Sequence, residues 1–330
     1  MGSLNESNQA NLKSISLAGL LAGKADAVND LVSACRENGF FYLDFRHKST
    51  CSILEVVDDL AAVGNSVFKL PLEEKEQYST EKHLPSRLLG YKRVGCSIGP
   101  FAEKKDGYES FSIHNNGVFG QDALIVPQAI EENMQLVEMF LSEAHGYTDC
   151  ILSTLSKALG LPHDLKDCHR KDKPSAANMA MLKYLTYGSS DEKIGNPAHT
   201  DMGTLTIVFS QVGGLQVMLP GRDEWSFVEP RRGHAVVNVG DSLRFLSSSA
   251  LQSSLHRVVP PPNATGQDKF SVIYFLRPEF DARFTAYGRE MSSLDWHNQK
   301  YALFREASLD PKHHGAMLTG RKGYIGLAGQ

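Results

Sequence analysis

The feature that most restricts how this chain can fold is a change of apolar period part-way along it. Between residues 133 and 159, Leu136, Phe140, Leu141, Ala144, Tyr147, Ile151, Leu152, Leu155 and Leu159 recur three or four apart, the spacing of one buried face of a long helix. From Met179 onward the helical period gives way to short apolar runs at 179–185, 205–209, 215–219, 225–228, 235–239, 243–246, 256–259 and 270–276. Gly, Pro, Asn and Asp separate these runs, so eight short strands joined by turns are expected, arranged as a sandwich or jelly roll.

The N-terminal part has the other period. Residues 25–38 predict a helix with Val28, Leu31, Val32 and Cys35 on one face, ended by Asn38-Gly39, and Phe40-Phe41-Tyr42-Leu43 then predicts a buried strand. Ile53, Val56, Val57, Leu60, Val63 and Val67 predict a second helix over 52–68. Pro71, Glu73 and Glu74 suit the first turn of another, where a missing N–H costs nothing and negative charge meets the helix dipole. A closing helix is expected over 294–306. The polar, glycine-bearing segment 186–197 leads directly into the most reactive-looking residues and is a candidate lid.

With 330 residues and no repeat, low-complexity tract or composition shift that marks a linker, the chain reads as a single α+β unit. Within it, 1–120 forms a helical N-terminal region and 177–280 the β core. Lys and Arg number 34 against 38 Asp and Glu, with no dense basic cluster, which argues against nucleic acid. No apolar stretch approaches the ~20 residues of a membrane span. The first residues lack the apolar run of a signal peptide, and five scattered cysteines without a CxxC pair fit reduced thiols, so a cytoplasmic protein is expected. The expected partner is a small molecule, with no obligate protein partner.

His199-Thr200-Asp201 lies between the candidate lid and the strand run at 205. In extended backbone, residues two apart point to one side, so this imidazole and carboxylate can converge. His256 opens a later strand and can supply a third ligand. Two imidazoles and one carboxylate leave about three sites of an octahedron open, the arrangement of non-haem Fe(II) oxygenases. Twelve histidines make a chance His-x-Asp easy, and an isolated one is more often a hydrogen-bonded pair. The competing group His163, Cys168 and His169 lacks a fourth ligand at zinc spacing.

The context of that motif is more specific. HTDMGTLTIVF, then GGLQV, WSFVEP, NVGDSLRFLS, HRVVPP and KFSVIYFLRP, resembles in order and spacing the isopenicillin-N-synthase-like family of iron(II)/2-oxoglutarate-dependent oxygenases. The likeness is strongest over 179–278 and continues more weakly through ACRENGFFYLDF, LPLEEKEQY and LGYKRVG. It implies a distorted double-stranded β-helix holding Fe(II) by His199, Asp201 and His256, with 2-oxoglutarate and dioxygen as co-substrates. The family's basic-x-Ser pair, which holds the far carboxylate of 2-oxoglutarate, falls on Lys269 and Ser271, and a family tyrosine with the same carboxylate falls on Tyr184. Arg87, Tyr91, Tyr108 and Phe111 lie in the segment that the resemblance places over the jelly-roll mouth, and are candidate substrate contacts.

Two positions depart from the family pattern. Lys269 stands where Arg is usual, and Leu182 where Asn is common. A lysine neutralises a carboxylate as a point charge and lacks the bidentate fork of arginine. Two readings follow. The first is a 2-oxoglutarate-dependent oxygenase that hydroxylates, desaturates or closes a ring in a small organic molecule, within natural-product biosynthesis. The second is an oxidase of the isopenicillin-N-synthase type, using dioxygen alone, with Lys269 holding the substrate. A jelly-roll binding protein without catalysis is the rival from another class.

Overall fold

Asn38 ends the helix Ala25–Glu37, and Gly39, at φ +63°, turns the chain into the Phe40 strand. The turn needs glycine twice over, because a Cβ there would lie 2.1 Å from the Gln252 carbonyl oxygen. Gly39→Ala is therefore expected to destabilise the protein by about 2 kcal/mol or more, read as a lowered midpoint in chemical unfolding.

The computed structural model describes residues 8–82, 89–97, 105–120, 122–185, 195–259, 268–305, 317 and 319–320. Its strands are β1 (Ser14–Ser16), β2 (Phe40–Asp44), β3 (Gly90–Lys92), β4 (Tyr108–His114), β5 (Asn178–Tyr184), β6 (Asn196–His199) and β7 (Leu205–Ser210). They continue with β8 (Leu215–Met218), β9 (Ser226–Phe227), β10 (His234–Val239), β11 (Leu255–Val258), β12 (Lys269–Leu276), β13 (Arg283–Ala286) and β14 (Arg289–Ser292). The large sheet runs β1-β2-β10-β7-β12-β5-β4-β3 and the small one β6-β11-β8-β9, while β13 and β14 form a separate hairpin. Strands β5 to β12 are thus shared between two facing sheets, antiparallel throughout this stretch and alternating except that β8 and β9 form a hairpin in the small one, the double-stranded β-helix that the resemblance implies.

Period-2 alternation gives the large sheet two different faces. Ile207, Phe209, Val272, Tyr274, Met179 and Met181 point outward into the main core, against the helices Ala25–Glu37, Ser52–Lys69 and Met134–Leu159. The intervening residues Val208, Ser210, Ser271, Ile273, Leu182 and Tyr184 point inward and line a cavity between the sheets. Buried on both sides, these strands read as near-continuous apolar runs. The long helix is tied to the outer face by His145, whose Nδ1 lies 2.9 Å from the Tyr274 hydroxyl. It ends at Gly160, in the left-handed conformation.

Two sequence expectations change. The run 243–246 is a helix, Asp241–Leu246, in place of a strand. Four apolar-rich residues are too few to separate the two periods, and Asp241 favours the first turn of a helix. The N-terminal region is also less helical than expected: β4 pairs with β5 over seven residues, Tyr108 opposite Tyr184 through His114 opposite Asn178. Nearly all of the candidate lid, residues 186–194, lies outside the described residues, as does Arg87.

Candidate metal centre and co-substrate pocket

His199 ends β6 and His256 lies directly opposite it on β11, so the antiparallel register alone brings the two rings together, 4.4 Å between centroids. Each ring is oriented by a carbonyl two residues back. Nδ1 of His199 lies 2.7 Å from the Pro197 oxygen, and Nδ1 of His256 lies 3.2 Å from the Ser254 oxygen. A carbonyl only accepts, so Nδ1 carries the proton in both rings and each Nε2 offers its lone pair. Those nitrogens lie 3.5 Å and 3.8 Å from Oδ1 of Asp201. The three ligand atoms fall within 4.8 Å of one another, and among the described residues this is the one such group of metal-binding side chains.

The second carboxylate oxygen of Asp201 is already engaged. Thr206 Oγ1 on β7 and Asn238 Nδ2 on β10 donate to Oδ2 at 2.6 Å and 2.7 Å, leaving Oδ1 turned toward the imidazoles. Burial pushes the Asp201 carboxyl up, but the contacts around it, the hydrogen bond from the Thr206 hydroxyl among them, outweigh it and hold the group well below the usual carboxylate range. Burial and the neighbouring His199 push His256 down to about 4, so it is a neutral donor at ordinary pH. Two lone-pair nitrogens and an ionised oxygen, each with its other polar atom satisfied, suit a divalent transition metal with open positions.

The turn that carries His199 and Asp201 is clamped from behind. Lys300, fully buried on the helix Ser293–Arg305, donates to Thr200 Oγ1 at 2.7 Å and pairs with the equally buried Asp241. Trp296 Nε1 and Ser242 Oγ both donate to the Met202 carbonyl. Nε2 of His169 lies 2.6 Å from Thr204 Oγ1 and its Nδ1 2.6 Å from the Leu165 carbonyl, so His169 is a strut and no zinc ligand.

The cavity extends from His199, Asp201 and His256 to Lys269, with about 830 Å³ of open space including its mouth. Lys269 opens β12 opposite Tyr184 on β5, and Ser271 lies opposite Ser210 on β7, so all four line one wall. Nζ of Lys269 donates to Ser210 Oγ at 2.7 Å and to the Val212 carbonyl. With no carboxylate beside it among the described residues, burial pushes its ammonium down to about 7. A carboxylate arriving there would restore the charged form.

The candidate substrate contacts separate. Tyr108 packs on Tyr184, ring centroids 5.1 Å apart, beside the cavity. Phe111 is three residues further along β4 and so faces the opposite side of the sheet, where it is buried in the main core. Tyr91 pairs with it across β3, and its hydroxyl donates to Glu109 at 2.8 Å. Neither reaches the cavity. Thr206, Asn238, Ser210 and Phe40, whose ring meets His256 edge-on at 5.4 Å, were not among the expected site residues. Inward alternation from Ser271 would have found Ser210 only once the strand pairing was known.

Residues 176–278 match the 2OG-Fe(II) oxygenase superfamily, and residues 12–130 match the N-terminal region of the non-haem dioxygenases in morphine synthesis. A 2-oxoglutarate-dependent dioxygenase, frbH of a Dothideomycetidae species, is 37% identical over 94% of this chain and 95% of its own length. This chain belongs to the iron(II)/2-oxoglutarate-dependent dioxygenases. The dioxygenase gloE of Glarea lozoyensis is 35% identical over 97% of this chain and 96% of its own. Among solved structures, a 2OG-Fe(II) oxygenase family protein from Caulobacter crescentus superposes with TM-score 0.73 at 20% identity, covering 89% of this chain and 99% of that one. A rice dioxygenase for auxin oxidation gives TM-score 0.64 at 22% identity, covering 88% and 95%. As in the family, the enzyme uses Fe(II), 2-oxoglutarate and dioxygen. No helix among the described residues is long and apolar enough to cross a membrane.

Proposed function

We propose that this dioxygenase oxidises a small organic molecule of natural-product metabolism at a centre held by His199, Asp201 and His256, with Lys269, Ser271 and Tyr184 binding the far carboxylate of 2-oxoglutarate. The observation that carries the reading is the convergence of three oriented ligand atoms within 4.8 Å in the same cavity that a partly buried lysine enters. The fungal relatives named as 2-oxoglutarate-dependent dioxygenases support the setting.

When bound, iron supplies two-electron oxidation by dioxygen, coupled to conversion of 2-oxoglutarate to succinate and carbon dioxide. The chain's own residues do the rest. Asn238 and Thr206 keep Oδ1 of Asp201 turned to the metal, and the two backbone carbonyls keep both Nε2 atoms unprotonated. Lys269 neutralises and orients the co-substrate, and Val208, Leu182, Ile273 and Phe275 keep the space around it apolar. Hydroxylation, desaturation and ring closure are all open to such a site, decided by how the substrate is held.

Mixing the protein anaerobically with Fe(II) and 2-oxoglutarate, adding a fungal metabolite extract, and admitting air is expected to release succinate together with an oxidised product. Dioxygen uptake with an oxidised product but no succinate would favour the oxidase reading and make Lys269 a substrate anchor.

A further inference from the structure

The iron cavity has a second basic group in its wall besides Lys269. On the β2 and β10 side the lining runs from Phe40, whose ring meets His256, through Tyr42, Val236 and Val228 to Pro230 and Arg231. Pro230 and Arg231 are exposed, so among the described residues this side of the cavity reaches the surface.

Arg231 is held by a ring and not by an acid. Its guanidinium lies 3.9 Å from the centroid of the buried Tyr42 ring, which is itself fixed by its hydroxyl donating to the Glu229 carbonyl at 2.8 Å. Among the described residues no carboxylate lies within ion-pair distance of this guanidinium, although Glu229 is only two residues away in the chain. Stacking occupies the face of a guanidinium and leaves its N–H edge for a planar anion. Lys269 is too far off to share one carboxylate with it. Ser210 and the Val212 carbonyl draw the Lys269 ammonium onto β7, whereas Arg231 lies over β2, and β10 separates those two strands. Two strand spacings put the cations about 10 Å apart. The 2-oxoglutarate carboxylate at Lys269 therefore leaves Arg231 open to another acid.

We propose that Arg231 anchors a carboxylate of the substrate at the surface end of the iron cavity, so that the enzyme selects apolar organic acids. The assignment to substrate rests on the iron and 2-oxoglutarate reading above. The guanidinium edge supplies paired donors and the charge, and Tyr42, Val228 and Val236 supply an apolar wall for the chain of the acid. Phe40 and Tyr42 stand two residues apart on β2, about 7 Å, so the path from Arg231 to the metal ligands is on the order of 10 Å. The carbon oxidised would lie about that far from the acid.

The probe is octanoate, an apolar acid of about that reach, compared with octanamide, which has the same chain without the charge. Calorimetric titration of anaerobic Fe(II) enzyme saturated with 2-oxoglutarate, so that Lys269 is occupied, is expected to show octanoate binding at least about tenfold more tightly than octanamide. In Arg231→Gln the acid should lose that lead, and Arg231→Lys, which keeps the charge without the planar fork, should retain part of it. The affinity for 2-oxoglutarate should stay within a few fold in both variants, which also shows that the cavity is intact. In air, carboxylic acids of a metabolite library should stimulate succinate release by the wild type more than their primary amides do, and Arg231→Gln should erase the difference. Acid and amide that bind alike or not at all, or an acid preference that survives Arg231→Gln, overturn the anchor. A loss of 2-oxoglutarate affinity in Arg231→Gln larger than the loss for octanoate overturns it too, by giving the guanidinium to the co-substrate. Octanoate preferred in binding while acids and amides stimulate equally overturns the assignment to substrate. A failure of the 2-oxoglutarate reading would look different, abolishing succinate release with every compound while the wild type still preferred octanoate to octanamide.

Discussion

His256→Ala is expected to lower Fe(II) affinity by more than about 100-fold and to abolish turnover, while leaving the circular dichroism spectrum unchanged. Losing an outer partner of a ligand typically costs about 10- to 100-fold, so losing the ligand itself exceeds that range. Asn238→Ala supplies the comparison, because it removes one of the two hydrogen bonds to Oδ2 of Asp201 without removing a ligand, and it should fall within that range. The sheets hold without His256: Leu255 and Val258 remain buried on β11, and the registers to β6 and β8 do not depend on the ring. Anaerobic Fe(II) titration of the three proteins checks this. Near-native iron affinity in His256→Ala would contradict the ligand set.

Lys269→Ala is expected to raise the 2-oxoglutarate concentration needed for half-maximal succinate release steeply, with Fe(II) affinity nearly unchanged. Truncating one partner of a buried charge-assisted pair costs about 2–5 kcal/mol, or roughly 30-fold to several thousand-fold in affinity. Lys269→Arg should lie between, since the wider guanidinium must fit a hollow shaped by Ser210 and the Val212 carbonyl. Steady-state assays over a 2-oxoglutarate range distinguish these. A half-saturation point that Lys269→Ala leaves in place would assign the ammonium another ligand.

What the sequence could show and what it could not divide along physical lines. His199 and Asp201 are local to one turn, and His256 opens a recognisable strand run, so spacing and motif order suffice to pick out these three as candidate ligands. Long periods were equally plain, as in the helix Met134–Leu159. The short helix Asp241–Leu246 was not, because six residues complete less than two turns and present no period to count. Phe111 and Tyr91 face the main core because strand parity decides which side a residue takes, and the sequence around Phe111 carries no period that marks the strand. Thr206 and Asn238 act from strands that meet Asp201 only in three dimensions, and the pairing of Lys300 with Asp241 spans 59 residues.

The most direct measurement is the stoichiometry of one dioxygen pulse given to anaerobic Fe(II)-loaded enzyme with 2-oxoglutarate and a substrate-bearing extract, in wild type and Lys269→Ala side by side. One succinate is expected for each dioxygen consumed by the wild type. Lys269→Ala should yield little of either at the same 2-oxoglutarate concentration, and recover both when that concentration is raised. Dioxygen consumed by the wild type with 2-oxoglutarate left intact, or equal succinate from both proteins at limiting 2-oxoglutarate, would contradict it.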